Sequence, residues 1–324
     1  MGEVRFGQAI NLALDESLEN DPSVVVFGED IARPGGPFGV TRGLQAKYGE
    51  LRVRDTPISE ATLVSAAVGA AMSGLKPVVE IMFMDFITLA MDGLVNQAAK
   101  ARFMFGGQCS VPMVLRTPHG GGLNAGPQHS QCLEAWCAHI PGLKVVVPSN
   151  PADAYGLLKA AIADPDPVIF VENKALYAAK GPMEDAPGPL EIGQAHIARP
   201  GTDVTVVTYG ATVKTALRSA GSLSESGIEL EVIDLRSIQP WDEATVLASL
   251  SRTHRLIILH EAVTAFGTGA EIAARMADVG FDELDAPIVR VGAPFMPVPF
   301  AASLESQYLP DADDLIAAVH KVLA

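Results

Sequence analysis

The chain has 324 residues, of which 48% are hydrophobic, so two α/β domains with separately filled cores are expected. A formal net charge of −15 disfavours nucleic acid and anionic membranes as partners, because both are held through clustered Lys and Arg, and points instead to a basic protein surface. Cys109, Cys132 and Cys137 form no CxxC pair, as expected of reduced thiols in the cytoplasm. The N-terminal stretch MGEVRFGQAINLALDESLEND is amphipathic and acidic, unlike a signal peptide. The most apolar run, 81–95, is interrupted by Asp85 and Asp92 and is too short to span a bilayer.

Apolar runs rich in β-branched residues alternate with helical patterns: SVVVF (23–27), PVVEIMF (77–83), VPMVLRT (111–117), LKVVVP (143–148) and PVIFVE (167–172). Strands buried on both faces read this way, and their alternation with helices predicts a parallel sheet. In 173–194 the pattern breaks into prolines, glycines and mixed charge, which reads as an interdomain linker. The α/β grammar then resumes with DVTVVTYG, a helix from about Thr212, ELEVIDL, a helix opening at Asp242, RLIILHEA, GAEIAARMADV, PIVRVG and a final helix DADDLIAAVHKVL. These units predict a smaller doubly wound domain. The expected division is 1–180, a linker at 181–194, and 195–324.

Glu60, in RDTPISEATLVSAAVGAAMSG, is the last charge before Lys76. Thr56 or Ser59 can cap the helix, Pro57 suits its first turn, and Glu60 then lies where the helix dipole favours an anion. The helix is apolar or small all round, which predicts burial on every face, with Ala66, Gly69, Ala70 and Ser73 inviting close approach of a second helix. A buried carboxylate at its head needs a donor or keeps its proton, and either state serves acid–base chemistry.

The run GEDIARPGGPFGVTRGLQAKYGELRVRDTPISE resembles the β subunit of the thiamine-diphosphate-dependent 2-oxoacid dehydrogenases, the family of pyruvate, branched-chain 2-oxoacid and acetoin dehydrogenases. So do MDGLVNQAAKARFMFGGQ (91–108), GPQHSQCLEAWCAHIPGLKVVVPSNPADAYGLL (126–158), EVIDLRSIQPWD (231–242) and HEA (260–262). The resemblance covers essentially the whole chain, in order. It implies an α/β fold with a transketolase-like pyrimidine-binding domain followed by a smaller α/β C-terminal domain.

It also implies that Glu60 hydrogen-bonds N1′ of the cofactor's aminopyrimidine, favouring the imino tautomer whose N4′ removes the C2 proton of the thiazolium. The resemblance places His129, in GPQHSQ, beside substrate and cofactor, assisting 2-oxoacid binding and acyl transfer to a lipoyl group. It places Phe86 and Ile58 against the pyrimidine ring, and Glu29 in an acidic passage joining two active sites. Phe83, in EIMFMDF, reads as core, and His119, in TPHGGG, varies within the family. The stretch AAIADPDP resembles a loop holding a structural monovalent cation, K⁺, through Met113, Ala161, Ile162, Asp164 and Asp166; a helix end flanked by Pro165 and Pro167 explains the same residues structurally.

No GDG motif occurs, and MDGLVN lacks its first glycine. The diphosphate and Mg²⁺ are therefore expected on a separate α subunit, giving an α₂β₂ heterotetramer with a second β subunit, served by a lipoyl-bearing dihydrolipoamide acyltransferase. Trp136, in CLEAWCAHIPGLKVV, is closer to pyruvate and acetoin members than to branched-chain members, which favours a small 2-oxoacid. The remaining readings are a non-catalytic assembly subunit, a transketolase-like enzyme, and a nucleotide-binding protein, the last lacking a phosphate loop.

Overall fold

The computed structural model describes residues 2–183 and 188–324. Residues 184–187, within the expected linker, and Met1 lie outside the described residues. In chain order the first half contributes β1 (Gly2–Arg5), β2 (Val24–Gly28), β3 (Val53–Asp55), β4 (Lys76–Glu80), β5 (Val114–His119), β6 (Lys144–Val146), β7 (Val168–Asn173) and β8 (Lys180–Met183). The second contributes β9 (His196–Arg199), β10 (Val204–Thr208), β11 (Leu230–Asp234), β12 (Ser237–Gln239), β13 (Leu256–Val263) and β14 (Val289–Ala293).

Strands β6, β7, β5, β4, β2 and β3 are mutually parallel neighbours, as the β-branched runs predict. The strand read at 77–83 stops at Glu80, so Phe83 lies beyond the sheet edge. An antiparallel edge strand, β12, comes from the second half of the chain and pairs with β6. The second sheet runs β14, β13, β10, β11, β9; only β9 is antiparallel in it. One buried apolar cluster passes without a break from Val79, Leu115 and Val145 of the first sheet to Val207, Ile233 and Ile258 of the second. The fork of Arg236 adds a polar tie, donating to Asp153 at 2.7 and 2.9 Å.

Two expectations need correction. Part of the 173–194 stretch is ordered structure: β7 extends to Asn173, Lys174–Leu176 forms a single 3₁₀ turn, and β8 pairs antiparallel with β1 from Gly2↔Met183 to Arg5↔Lys180. Gly181 and Pro182 are poor strand formers alone, and a partner from the other end of the domain overrides their propensity. The helix Glu60–Met72 is not buried on every face. Glu60, Leu63, Val64, Ala67, Val68 and Ala71 face the core, whereas Ala61, Thr62, Ser65, Ala66 and Gly69 are exposed. A sequence shaped for an additional covering surface is apolar on faces that the lone chain leaves open.

Candidate active site

Parallel strands place all their C-terminal ends on one edge, where ligand sites of α/β sheets form. Glu29 directly follows β2, Glu60 follows β3, Phe86 follows β4, His129 follows β5 and Lys174 follows β7. The topology thus gathers residues far apart in sequence onto one rim.

Glu60 opens its helix and is 6% exposed. Ser59 stands at the N-cap, but its hydroxyl bonds to Thr62 Oγ1 at 2.9 Å rather than to a helix N–H. Among the described residues, no side chain donates to the Glu60 carboxylate. The peptide N–H of Thr56 donates to the Gly28 carbonyl at 2.9 Å, pinning the 56–59 turn to the end of β2. That brings Glu29 beside Glu60. The Ser59 N–H lies near enough to the Glu29 carboxylate to hold its pKa down a little, yet among the described residues its Oε1 is buried without a partner. Burial first, and the neighbouring Glu60 charge second, raise the Glu29 pKa. Folding therefore binds the Glu29 proton more tightly than the unfolded chain does, and its ionisation costs stability above its folded pKa but nothing below its unfolded value. Glu29→Gln keeps an acceptor for Ser59 and removes that cost. The melting-temperature gain is expected to grow between pH 4 and pH 8; a gain independent of pH would contradict the coupling.

The second group centres on His129, which is half-buried. The Phe86 ring meets the imidazole edge-on at 5.4 Å between centroids, and the Phe83 ring does so at 4.8 Å. Phe83 is thus not a core residue; it is half-buried and lies closer to His129 than Phe86 does. Lys174 Nζ donates to the His129 carbonyl, lies 3.5 Å from Ser130 Oγ, and sits 5.3 Å from the Phe83 ring centre. Burial lowers the Lys174 pKa. Asp85 accepts from the Gln131 N–H and side-chain amide at 3.2 and 2.8 Å. From the second half, Glu261 of the HEA motif accepts from the Gly121 N–H and from Asn173 Nδ2, the latter at 2.7 Å, and Glu305 accepts from the Asn124 N–H at 2.9 Å. The glycine-rich loop before His129 is therefore held from both halves. Sequence reasoning missed Lys174, Asp85 and Glu305; Lys174 was hidden in the supposed linker, although its place directly after a strand is a signal.

Below the rim, Arg116 is buried between Glu80 and Glu172, with N···O distances of 2.6 Å to Glu80 and 2.7 Å to Glu172, and Tyr177 donates to Glu172 at 2.7 Å. Burial raises the Glu80 pKa despite the guanidinium.

Ile58 is 80% exposed beside a cleft of about 530 Å³ lined by Pro57, Ser59, Thr62, Leu63 and Ala66. Met113 precedes β5, and Ala161, Ile162, Asp164 and Asp166 precede β7, so the candidate cation group lies at the opposite sheet edge from Glu60 and His129. Its acids are already paired: Lys144 Nζ bonds Asp164 at 2.6 and 2.8 Å, and Arg102 bonds Asp166. The Met113 carbonyl accepts from Val168 at 3.0 Å. Trp136 is exposed and lines a separate cleft with His139, Trp241 and Phe266.

Among the described residues, no helix is long and apolar enough to cross a membrane. The family description "Transketolase, pyrimidine binding domain" matches residues 2–180 and "Transketolase, C-terminal domain" matches 193–315. The pyruvate dehydrogenase E1 component subunit beta-2, mitochondrial, of Oryza sativa subsp. japonica is 47% identical over 323 residues, covering 98% of this chain and 86% of the relative. The acetoin:2,6-dichlorophenolindophenol oxidoreductase subunit beta of Bacillus subtilis (strain 168) is 47% identical, covering 99% and 97%. The human pyruvate dehydrogenase E1 component subunit beta, mitochondrial, is 44% identical, covering 99% and 91%. Among solved structures, a split gene transketolase, inactive beta4 tetramer, superposes with TM-score 0.82 at 23% identity, covering 99% of both chains, which speaks to the fold alone. With both domains matched in order and such relatives spanning nearly its full length, the chain belongs to the β subunits of the thiamine-diphosphate-dependent 2-oxoacid dehydrogenases.

Proposed function

We propose that this chain forms the pyrimidine side of a shared active site in an α₂β₂ decarboxylating component, with Glu60 and His129 as its catalytic residues and a division into 1–180, a linker at 181–194 whose first residues also complete β8, and 195–324. The observation that carries the reading is the buried Glu29–Glu60 pair, in which Glu60 has no side-chain donor among the described residues and Glu29 Oε1 has no partner. A carboxylate of this kind suits a ring nitrogen that can take a proton, so the residues present fit an aminopyrimidine. When bound, thiamine diphosphate supplies the carbon nucleophile that attacks a 2-oxo group. Glu60 would hold a proton at N1′, Phe86 would offer its flat face and Ile58 an aliphatic contact to the ring, and Glu29 would tune the charge beside Glu60. His129, kept in place by Lys174, Asp85 and the two phenylalanines, presents its imidazole for substrate binding and acyl transfer to a lipoyl group.

Under this reading the α subunit holds the diphosphate and Mg²⁺, and a lipoyl-bearing acyltransferase takes up the acyl group. With Asp164 and Asp166 committed to Lys144 and Arg102, a K⁺ ion in the 161–166 turn relies on carbonyl oxygens, and its part is structural. The three free cysteines suit the cytoplasm. A pyruvate-like substrate is favoured; acetoin is the second reading, because the acetoin relative matches at 47% identity over almost its whole length.

His129→Ala is expected to cut acyl transfer to lipoamide more than it weakens cofactor binding, measured by reductive acylation beside a cofactor titration; equal losses would remove His129 from the transfer step. The reading as a whole is tested by purifying the chain alone and with its co-purifying α chain, then titrating each with thiamine diphosphate and Mg²⁺. Binding and 2-oxoacid decarboxylation by the complex only are expected. Tight binding by the lone chain, or a loaded complex that turns over no 2-oxoacid, would overturn it.

A further inference from the structure

Behind the His129 loop lies a cluster that the reaction does not use. His119 ends β5, and Cys132 and Glu134 lie at the far end of the loop that begins there. One ligating atom from each of these three residues lies within 4.8 Å of the others. His119 is 2% exposed, and among the described residues neither of its ring nitrogens has a well-aligned hydrogen-bond partner. Glu134 is 1% exposed; its Oε1 accepts from the Tyr209 hydroxyl at 2.8 Å, while its Oε2 is unpartnered. His119 Nδ1 and Glu134 Oε2 stand 3.3 Å apart, outside good hydrogen-bond angles but close enough that, against the opposing effect of burial, the imidazole holds the Glu134 carboxyl below its usual range. Cys132 is a free thiol whose residue is partly buried, and burial first, with the Glu261 and Glu134 charges, holds its pKa up, so a metal must displace its proton on binding.

We propose that His119, Cys132 and Glu134 form a binding site for a thiophilic divalent cation of the zinc class. One imidazole, one thiolate and one carboxylate are the donor types that Zn²⁺ takes, and three protein ligands leave its fourth position to water. Bonds of about 2.0–2.3 Å at tetrahedral angles set ligand atoms roughly 3.3–3.6 Å apart. The His119–Glu134 pair already stands at that separation, and only Cys132 must close in. Tyr209 plays the part that outer partners play in metal sites, fixing the carboxylate so that its other oxygen faces the ion. A cation here joins the two ends of the loop that carries His129.

The test uses the full-length chain, freed of metal with a chelator and dialysed against Zn²⁺ or Co²⁺. The expected result is one equivalent of tightly held metal per chain and, for Co²⁺, a near-ultraviolet thiolate-to-metal charge-transfer band with intense tetrahedral d–d bands. Cys132→Ser should abolish the charge-transfer band, and His119→Gln should weaken binding by more than the roughly 10–100-fold typical of losing an outer-shell partner. Tyr209→Phe, which leaves every ligand in place, should weaken it within that range, and carries the test if a ligand variant fails to fold. Absence of the thiolate band, or tight stoichiometric binding retained in Cys132→Ser and His119→Gln, would overturn the site and leave an ordinary buried histidine–glutamate pair.

Discussion

Replacing Glu60 by Gln is expected to lower 2-oxoacid decarboxylation by about 10²–10⁴-fold, the usual worth of a positioned acid–base group, while leaving the assembly intact. The substitution changes almost nothing in shape. Its place at the head of the Glu60–Met72 helix is set by the Thr56–Gly28 backbone bond and by Leu63 and Val64 behind it, none of which involves the carboxylate. Under the proposed role, what is lost is a group that can hold a proton against a ring nitrogen. The amide also lifts the charge repulsion on Glu29, so the variant should be at least as thermally stable as the unsubstituted chain. Steady-state turnover and melting temperature measured on the same preparation separate the two effects. Near-normal turnover would remove Glu60 from the chemistry; a large loss of stability would make its role structural.

Replacing Arg116 by Met should have the largest effect on folding. The guanidinium is 1% exposed and neutralises Glu80 and Glu172, which come from the strands on either side of it. A neutral side chain leaves two carboxylates buried without a counter-charge, and breaking a buried pair from one side typically costs about 3–5 kcal/mol. Tyr177 can still donate to Glu172, but among the described residues Glu80 keeps no ion-pair partner. Urea denaturation of both proteins measures the difference. A loss below about 1 kcal/mol would mean that the acids take up protons cheaply enough to do without the arginine.

Much of the architecture was legible because long apolar runs and their spacing report directly on buried parallel strands and the helices between them. The helix at Thr212–Ser224, the Asp242 cap and the final helix from Ala312 all lie where the pattern placed them. What escaped depends on partners distant in sequence. Strand β12 is three residues long, and nothing local shows that it leaves its own half to edge the first sheet. Likewise β8 reads as a turn until β1 is set beside it. Exposure of the Ala61–Gly69 face escaped for the opposite reason, since composition reports what a surface is made for, not what covers it in one chain.

At the rim, Glu60, His129 and Phe86 are singled out through resemblance, with burial and capping arguments supporting Glu60 alone. Phe83 was assigned to the core because a phenylalanine at a strand end has no local feature separating packing from contact with a histidine. Glu261 was visible only as part of a matching HEA; its carboxylate on the Gly121 N–H needs the two halves to be folded together.

Lys174 grips the carbonyl of residue 129, not its imidazole. The peptide group offers that acceptor whatever side chain it bears, and the Asp85 contacts likewise fall on Gln131. With His129 in its proposed role, scaffold and reagent are therefore separable at this position. A saturation library at residue 129 should yield mostly folded proteins, and its ranking by turnover would report on reactivity itself, making this loop a point where new specificities can be selected without first being rebuilt.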